Sequence, residues 1–144
     1  MAPRAAGDAV GVGEAVIVAG IGCRKGASAE AIEAVLAAAL ERAGLAQDRI
    51  GAIATPADKG DEAGIAAVAL LHSLPLLFVQ QPDLEAAAAR CETSSARALA
   101  IKGIPSVAEA AALAAGGPDA KLLLPRIAVG PATCALAETR TPAP

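Results

Sequence analysis

A chain of 144 residues with no Trp, no Tyr and a single Phe, Phe78, cannot fill a core with aromatic rings. Forty-one of its residues are Ala, and Leu, Val and Ile supply most of the remaining apolar volume. Such small side chains require elements that pack with their backbones close together. Helices laid on a sheet meet that requirement. Apolar residues make up 55% of the chain and charged residues 19%. That balance excludes disorder for the bulk of the sequence, because disordered segments are poor in apolar residues. The length fits one domain.

The formal net charge is −3 and the isoelectric point is near 5.1. No basic field is present to recruit nucleic acid, and single strands would find no aromatic platform to stack on. Cys23, Cys91 and Cys134 are odd in number and far apart, and His72 is the one histidine. No zinc set of the usual Cys/His spacing can be assembled from them. We expect no metal, no cofactor, and a reducing cytoplasm as the compartment. Mean hydropathy is high, at +0.52, and residues 63–80 approach the roughly 20 residues of a membrane span. However, His72, Ser73 and Pro75 interrupt that run, and a helix followed by a strand explains it without lipid. Asp8 and Glu14 interrupt the stretch that a signal peptide would keep free of charge, and Gly20 stands where a lipoprotein cleavage site wants Leu. The expectation is a soluble protein with no membrane partner.

Apolar runs and caps order the chain. Residues 1–13 read as a loose tail and 14–138 as the domain, with a second tail at 139–144. Ala15–Ile21 is a short β-branched run, a buried strand by length. Ser28 then caps a helix whose apolar stripe is Ala31, Ile32, Val35, Leu36, Ala39 and Leu40. Glu30, Glu33 and Arg42 complement its dipole, and Gly44 stops it. Ile50–Ala54 is a second strand. A helix over roughly 62–73, capped by Asp61 or a neighbour, leads to a third strand at Pro75–Val79. Residues 82–90 read as a short helix with Pro82 at its start. The stretch 91–104 reads as irregular, with a strand near 97–101. Ser106 caps a helix through Ala115, and Lys121–Leu124 and Cys134–Ala137 complete the strands. Alternating strands and helices imply a sheet covered on both faces. In such sheets ligands sit at the carboxyl ends of the strands. That rule points to the loops at 20–28 and 55–62, and to the one before the helix at 106.

The first loop, Gly20-Ile21-Gly22-Cys23-Arg24-Lys25-Gly26, combines glycines, free amides at a helix start and two cations. Together they make an anion pocket. Its spacing is neither the dinucleotide GxGxxG nor a Walker pattern, so a carboxylate or phosphate ligand fits better than NAD or ATP. Cys23 at a helix start beside Arg24 and Lys25 is expected to have a lowered thiol pKa. In Asp58-Lys59-Gly60-Asp61-Glu62, Lys59 suits a ligand carboxylate, and Asp61 or Glu62 suits a general base. A solvated capping turn explains the same residues. Ser106-Val107-Ala108-Glu109 is a capping box, and structure alone accounts for it.

Four segments in register resemble one family. They are GIGCRKGAS at 20–28, DKGDEAGI at 58–65, KGIPSVAEAAAL at 102–113 and PRIAVGPATCALAE at 125–138. The family is the cobalamin-biosynthesis group comprising CobE and the C-terminal domain of CbiG. The resemblance spans about residues 14–138 and implies a three-layer α/β/α sandwich around a mixed, mostly parallel sheet. It implies a tetrapyrrole ligand, a precorrin or other corrinoid intermediate, and it leaves exchange with other pathway enzymes and oligomer formation open. The resemblance points to Gly20, Gly22, Cys23, Arg24, Gly26, Lys59, Ser106, Glu109, Arg126 and Thr133 for ligand binding, and Lys25 joins them from the cation pair of the first loop. CbiG is associated with opening a ring lactone and releasing acetaldehyde. By that analogy Lys59 would stabilise charge and Glu62 act as base. The competing expectation from the residues themselves is a small anion- or nucleotide-binding domain.

Overall fold

The computed structural model describes residues 15–59 and 62–140. Five strands form one mixed sheet: β1 (Ala15–Cys23), β2 (Ile50–Pro56), β3 (Leu76–Val79), β4 (Lys121–Val129) and β5 (Ala132–Arg140), in the order β3-β2-β1-β5-β4. β1 pairs parallel with β2, and β2 parallel with β3. β5 runs antiparallel to both β1 and β4. The first half of the chain thus builds a parallel side, and a C-terminal hairpin completes the sheet.

Helices cover both faces, giving three layers. α1 (Ala29–Ala43) and α2 (Ala63–Leu71) lie on one face. The predicted stripe of α1, Ile32, Val35, Leu36, Ala39 and Leu40, packs there against Ile17, Ala19 and Ile21 of β1 and Cys134 and Leu136 of β5. On the other face lie α3 (Gln81–Ala87) and α5 (Val107–Gly116), over Val18, Ala54 and Ala137. β1 is therefore covered on both sides, and its apolar run is continuous rather than alternating, as a doubly covered strand requires. Each Ile or Leu buried in this way contributes about 1.5–3 kcal/mol.

The small residues set how closely these layers approach. A Cβ on Gly20 would overlap the carbonyl oxygen of Ala108 and lie 2.8 Å from the Ala112 amide nitrogen. Only glycine lets α5 sit this close to β1.

Several sequence expectations need correcting. Residues 91–95 are irregular as expected, but no strand forms near 97–101: α4 (Ala96–Lys102) is a helix, capped by Ser95 Oγ, which accepts from Ala98 N at 3.2 Å. The proposed tail at 139–144 begins inside β5, where Thr139 pairs with Val16. The strand at 121–124 continues to Val129 through Pro125. β4 is an edge strand whose ladder shifts register between Leu124 and Ile127, one of the places where a strand tolerates proline. Glu62 occupies the start of α2 without a side-chain cap. Residues 1–13, Asp61 and 141–144 lie outside the described residues.

Candidate functional site

The sheet order brings distant loops to one rim. β1 ends at Cys23 opposite Ala132 of β5, so the Gly130-Pro131 turn of the hairpin lies beside the loop after β1. The Arg24 amide donates to the Pro131 carbonyl at 2.9 Å, and Thr133 Oγ1 donates to the Gly22 carbonyl at 3.3 Å. From the parallel side come Asp58 and Lys59, which follow β2, and from the opposite face come Ser106 and Val107 at the start of α5. α4 closes the remaining side. Between these elements is an open cleft of about 550 Å³, within the range of about 300–1,000 Å³ usual for small-molecule sites.

The lining has a pronounced charge bias. Arg24, Lys25, Lys59, Arg97, Lys102 and Arg126 reach the cleft, against one acid, Asp58. Asp58 is itself paired with Lys102. Burial lowers the Lys102 pKa from its ordinary value. Between the cations the surface is made of Gly22, Ala98, Ile101, Val107 and Ala128. Arg126 Nε is buried and has no hydrogen-bond partner among the described residues. A buried donor of that kind is uncommon in a finished structure and calls for a partner.

Gly22, Cys23, Arg24, Lys25, Lys59, Ser106, Arg126 and Thr133 of the expected site residues line this cleft. Gly20, Gly26, Glu62 and Glu109 do not. Gly20 serves the contact with α5 described above. The Gly26 amide donates to Glu62 Oε1 at 3.0 Å, a bond that ties the two predicted loops together and engages the carboxylate read as a base. Glu109 is fully buried. Its Oε1 accepts from the amides of Glu92 at 2.6 Å and Thr93 at 3.0 Å, and its Oε2 from the Arg126 amide at 2.8 Å. Burial pushes the Glu109 carboxyl up, but the hydrogen bonds from Arg126, Thr93 and Glu92 outweigh it and hold the pKa below the ordinary value. Glu109 thus supports the Arg126 backbone from behind instead of facing the cleft.

The expectation for Cys23 fails on electrostatics. Burial raises its thiol pKa more than the neighbouring Lys59 lowers it, and Glu62 raises it further. The group stays a neutral thiol near pH 7. No cluster of three or more metal-ligating side chains occurs among the described residues. No single helix among them is long and apolar enough to cross a membrane.

Sequence reading missed Ser95, the cap of α4, and Arg97, Ala98 and Ile101 within that helix. The signals were a serine cap, a glycine stop at Gly103 and cleft-facing positions 97, 98, 101 and 102 at helical spacing.

The sequence profile described as Cobalamin synthesis G C-terminus matches residues 17–137. The chain belongs to that family. Within it, the chain is 35% identical over 125 residues to Protein CobE from Sinorhizobium sp, covering 87% of this chain and 81% of the relative. A crystal structure of CobE, a protein from the cobalamin (vitamin B12) biosynthetic pathway, superposes with a TM-score of 0.83 at 36% identity. That match covers 94% of this chain and 97% of the other. The cobalamin biosynthesis protein chiG from Agrobacterium tumefaciens is 47% identical with a TM-score of 0.68, over 85% and 98% of the two chains. A cobalamin biosynthesis protein G homologue from Sulfolobus solfataricus gives 29% and 0.66, but this chain spans only 36% of its length. This member of the Cobalamin synthesis G C-terminus family is a protein of the cobalamin-biosynthesis pathway, of the CobE/CbiG kind.

Proposed function

We propose that the chain binds a precorrin or related tetrapyrrole polycarboxylate at the cleft and holds it between steps of the pathway. The observation that carries this reading is the convergence of six cationic side chains, Arg24, Lys25, Lys59, Arg97, Lys102 and Arg126, on one cleft lined by a single acid. Tetrapyrrole intermediates present acetate and propionate carboxylates around a broad apolar ring. A guanidinium or ammonium donates to such carboxylates in charge-assisted bonds. The small-residue lining between the cations complements the ring itself. The cleft takes one edge of the macrocycle with its carboxylate fringe and leaves the rest open to a receiving enzyme.

The test is an absorbance titration of the purified protein with hydrogenobyrinic acid. A saturable spectral shift with a Kd in the micromolar range or tighter, about −8 kcal/mol, is the expected result. Absence of both a shift and co-elution overturns the reading.

A further inference from the structure

α4 differs from the other helices in how little holds it. None of its residues is buried, whereas the other four helices each bury at least two. It packs extensively against no other element. Two apolar side chains stand out in solvent, Leu99 at 46% and Ile101 at 62% exposure, and Ile101 lines the cleft.

What does hold α4 is polar and lies at its ends. The Ser95 amide donates to the Pro105 carbonyl at 2.8 Å, which pinches the two ends of the excursion together. Gly103, at φ +72°, turns the chain back in a left-handed conformation. At the C-terminal end, Lys102 Nζ pairs with Asp58, and Gln81 Nε2 donates to the Lys102 carbonyl at 3.0 Å. The Asp58–Lys102 pair bridges α4 to the segment after β2, and both residues line the cleft.

We infer that α4 is a lid over the cleft, latched by the Asp58–Lys102 ion pair, and that Arg97 and Ile101 on its inner side contact the bound ligand. The inference rests on the reading of the cleft given above and adds the residues that close it. In the latched position Ile101 offers an apolar surface to a ring face and Arg97 a charge to the carboxylate fringe. The cations around the cleft favour a polyanionic occupant, and the apolar residues between them favour one with a flat apolar face. Helices of low local stability held by a few surface contacts are the elements used as lids.

Hydrogen exchange of the whole protein tests the latch without ligand. In Asp58→Asn and, independently, Lys102→Met, the amides of residues 99–103 should exchange at least ten-fold faster, with β1 and α1 unchanged. Unchanged exchange in both variants overturns the latch. With hydrogenobyrinic acid bound to the wild-type protein, the same amides should slow, and Ile101→Ser should weaken binding by about ten-fold. If the absorbance shift persists but these amides are not protected and Ile101→Ser binds normally, α4 is no lid and the cleft reading stands. No absorbance shift removes the cleft reading, and the lid's ligand falls with it.

Discussion

Glu109 shows how a residue can be legible in type and illegible in role. The Ser106-to-Glu109 spacing predicts a capping box, and Ser106 Oγ does accept from the Glu109 amide, at 3.3 Å. The carboxylate does not return to the Ser106 amide as a capping box requires. It reaches instead to Glu92, Thr93 and Arg126, partners whose proximity only the folded chain creates. Removing it takes the acceptor from three part-buried amides, at about 1 kcal/mol per lost hydrogen bond. Glu109→Ala should therefore lose at least about 3 kcal/mol in urea unfolding at neutral pH. Ser106→Ala should lose only about 1 kcal/mol. Because the folded pKa lies below the ordinary carboxylate value, the unfolded chain takes up the proton first. Glu109's contribution is thus complete above about pH 4.3 and fades as pH falls through the folded value. An acid unfolding midpoint that Glu109→Gln leaves unmoved would contradict this. The thiols follow from burial: Cys134 is fully buried, with its pKa pushed up to about 12, while Cys23 and Cys91 are half-buried. Alkylation of the native protein should spare Cys134, and unfolding without reductant should expose all three.

At the scale of elements, those with a buried stripe were legible and the one without was not. The packing faces of α1 and the continuous apolar run of β1 follow from periodicity, because burial on one or both sides imposes it. α4 buries nothing, so Leu99 and Ile101 trace no core-facing pattern and only its cap and stop remained to find. The C-terminal hairpin was underestimated for a related reason. Along β4 exposed positions alternate with half-buried ones, and Pro125 reads as a break until β4 is known to be an edge strand. The contact of α5 on β1 depends on Gly20, where sequence suggested a ligand loop. Gly20→Ala should force the helix and strand apart at an overpacking cost of about 1–3 kcal/mol. Thermal unfolding reads this directly, and an unchanged Tm would mean that the interface yields more easily than the close contact implies.

For the molecule as a whole, sheet topology converts four separated motifs into one rim. The parallel side delivers the loops after β1 and β2, and the antiparallel hairpin delivers Arg126 and Thr133 to the same end. Sequence spacing alone could not place residue 126 beside residue 24; the β1–β5 pairing does. The net charge of −3 hides this local concentration of cations. If the rim holds ligand carboxylates, as proposed above, Lys59 is the residue at which the effect should be cleanest. Lys59 lines the cleft and has no ion-pair partner among the described residues, so Lys59→Ala should shift stability by no more than about 0.5 kcal/mol. A charge-assisted bond to a ligand carboxylate is worth about 1.5–3 kcal/mol, or roughly a 10- to 150-fold change in affinity. The deciding measurement is the Kd for hydrogenobyrinic acid beside the Tm, for wild type and Lys59→Ala. Affinity should fall by at least ten-fold at unchanged Tm; a lowered Tm with unchanged affinity would make Lys59 structural and overturn its role in binding.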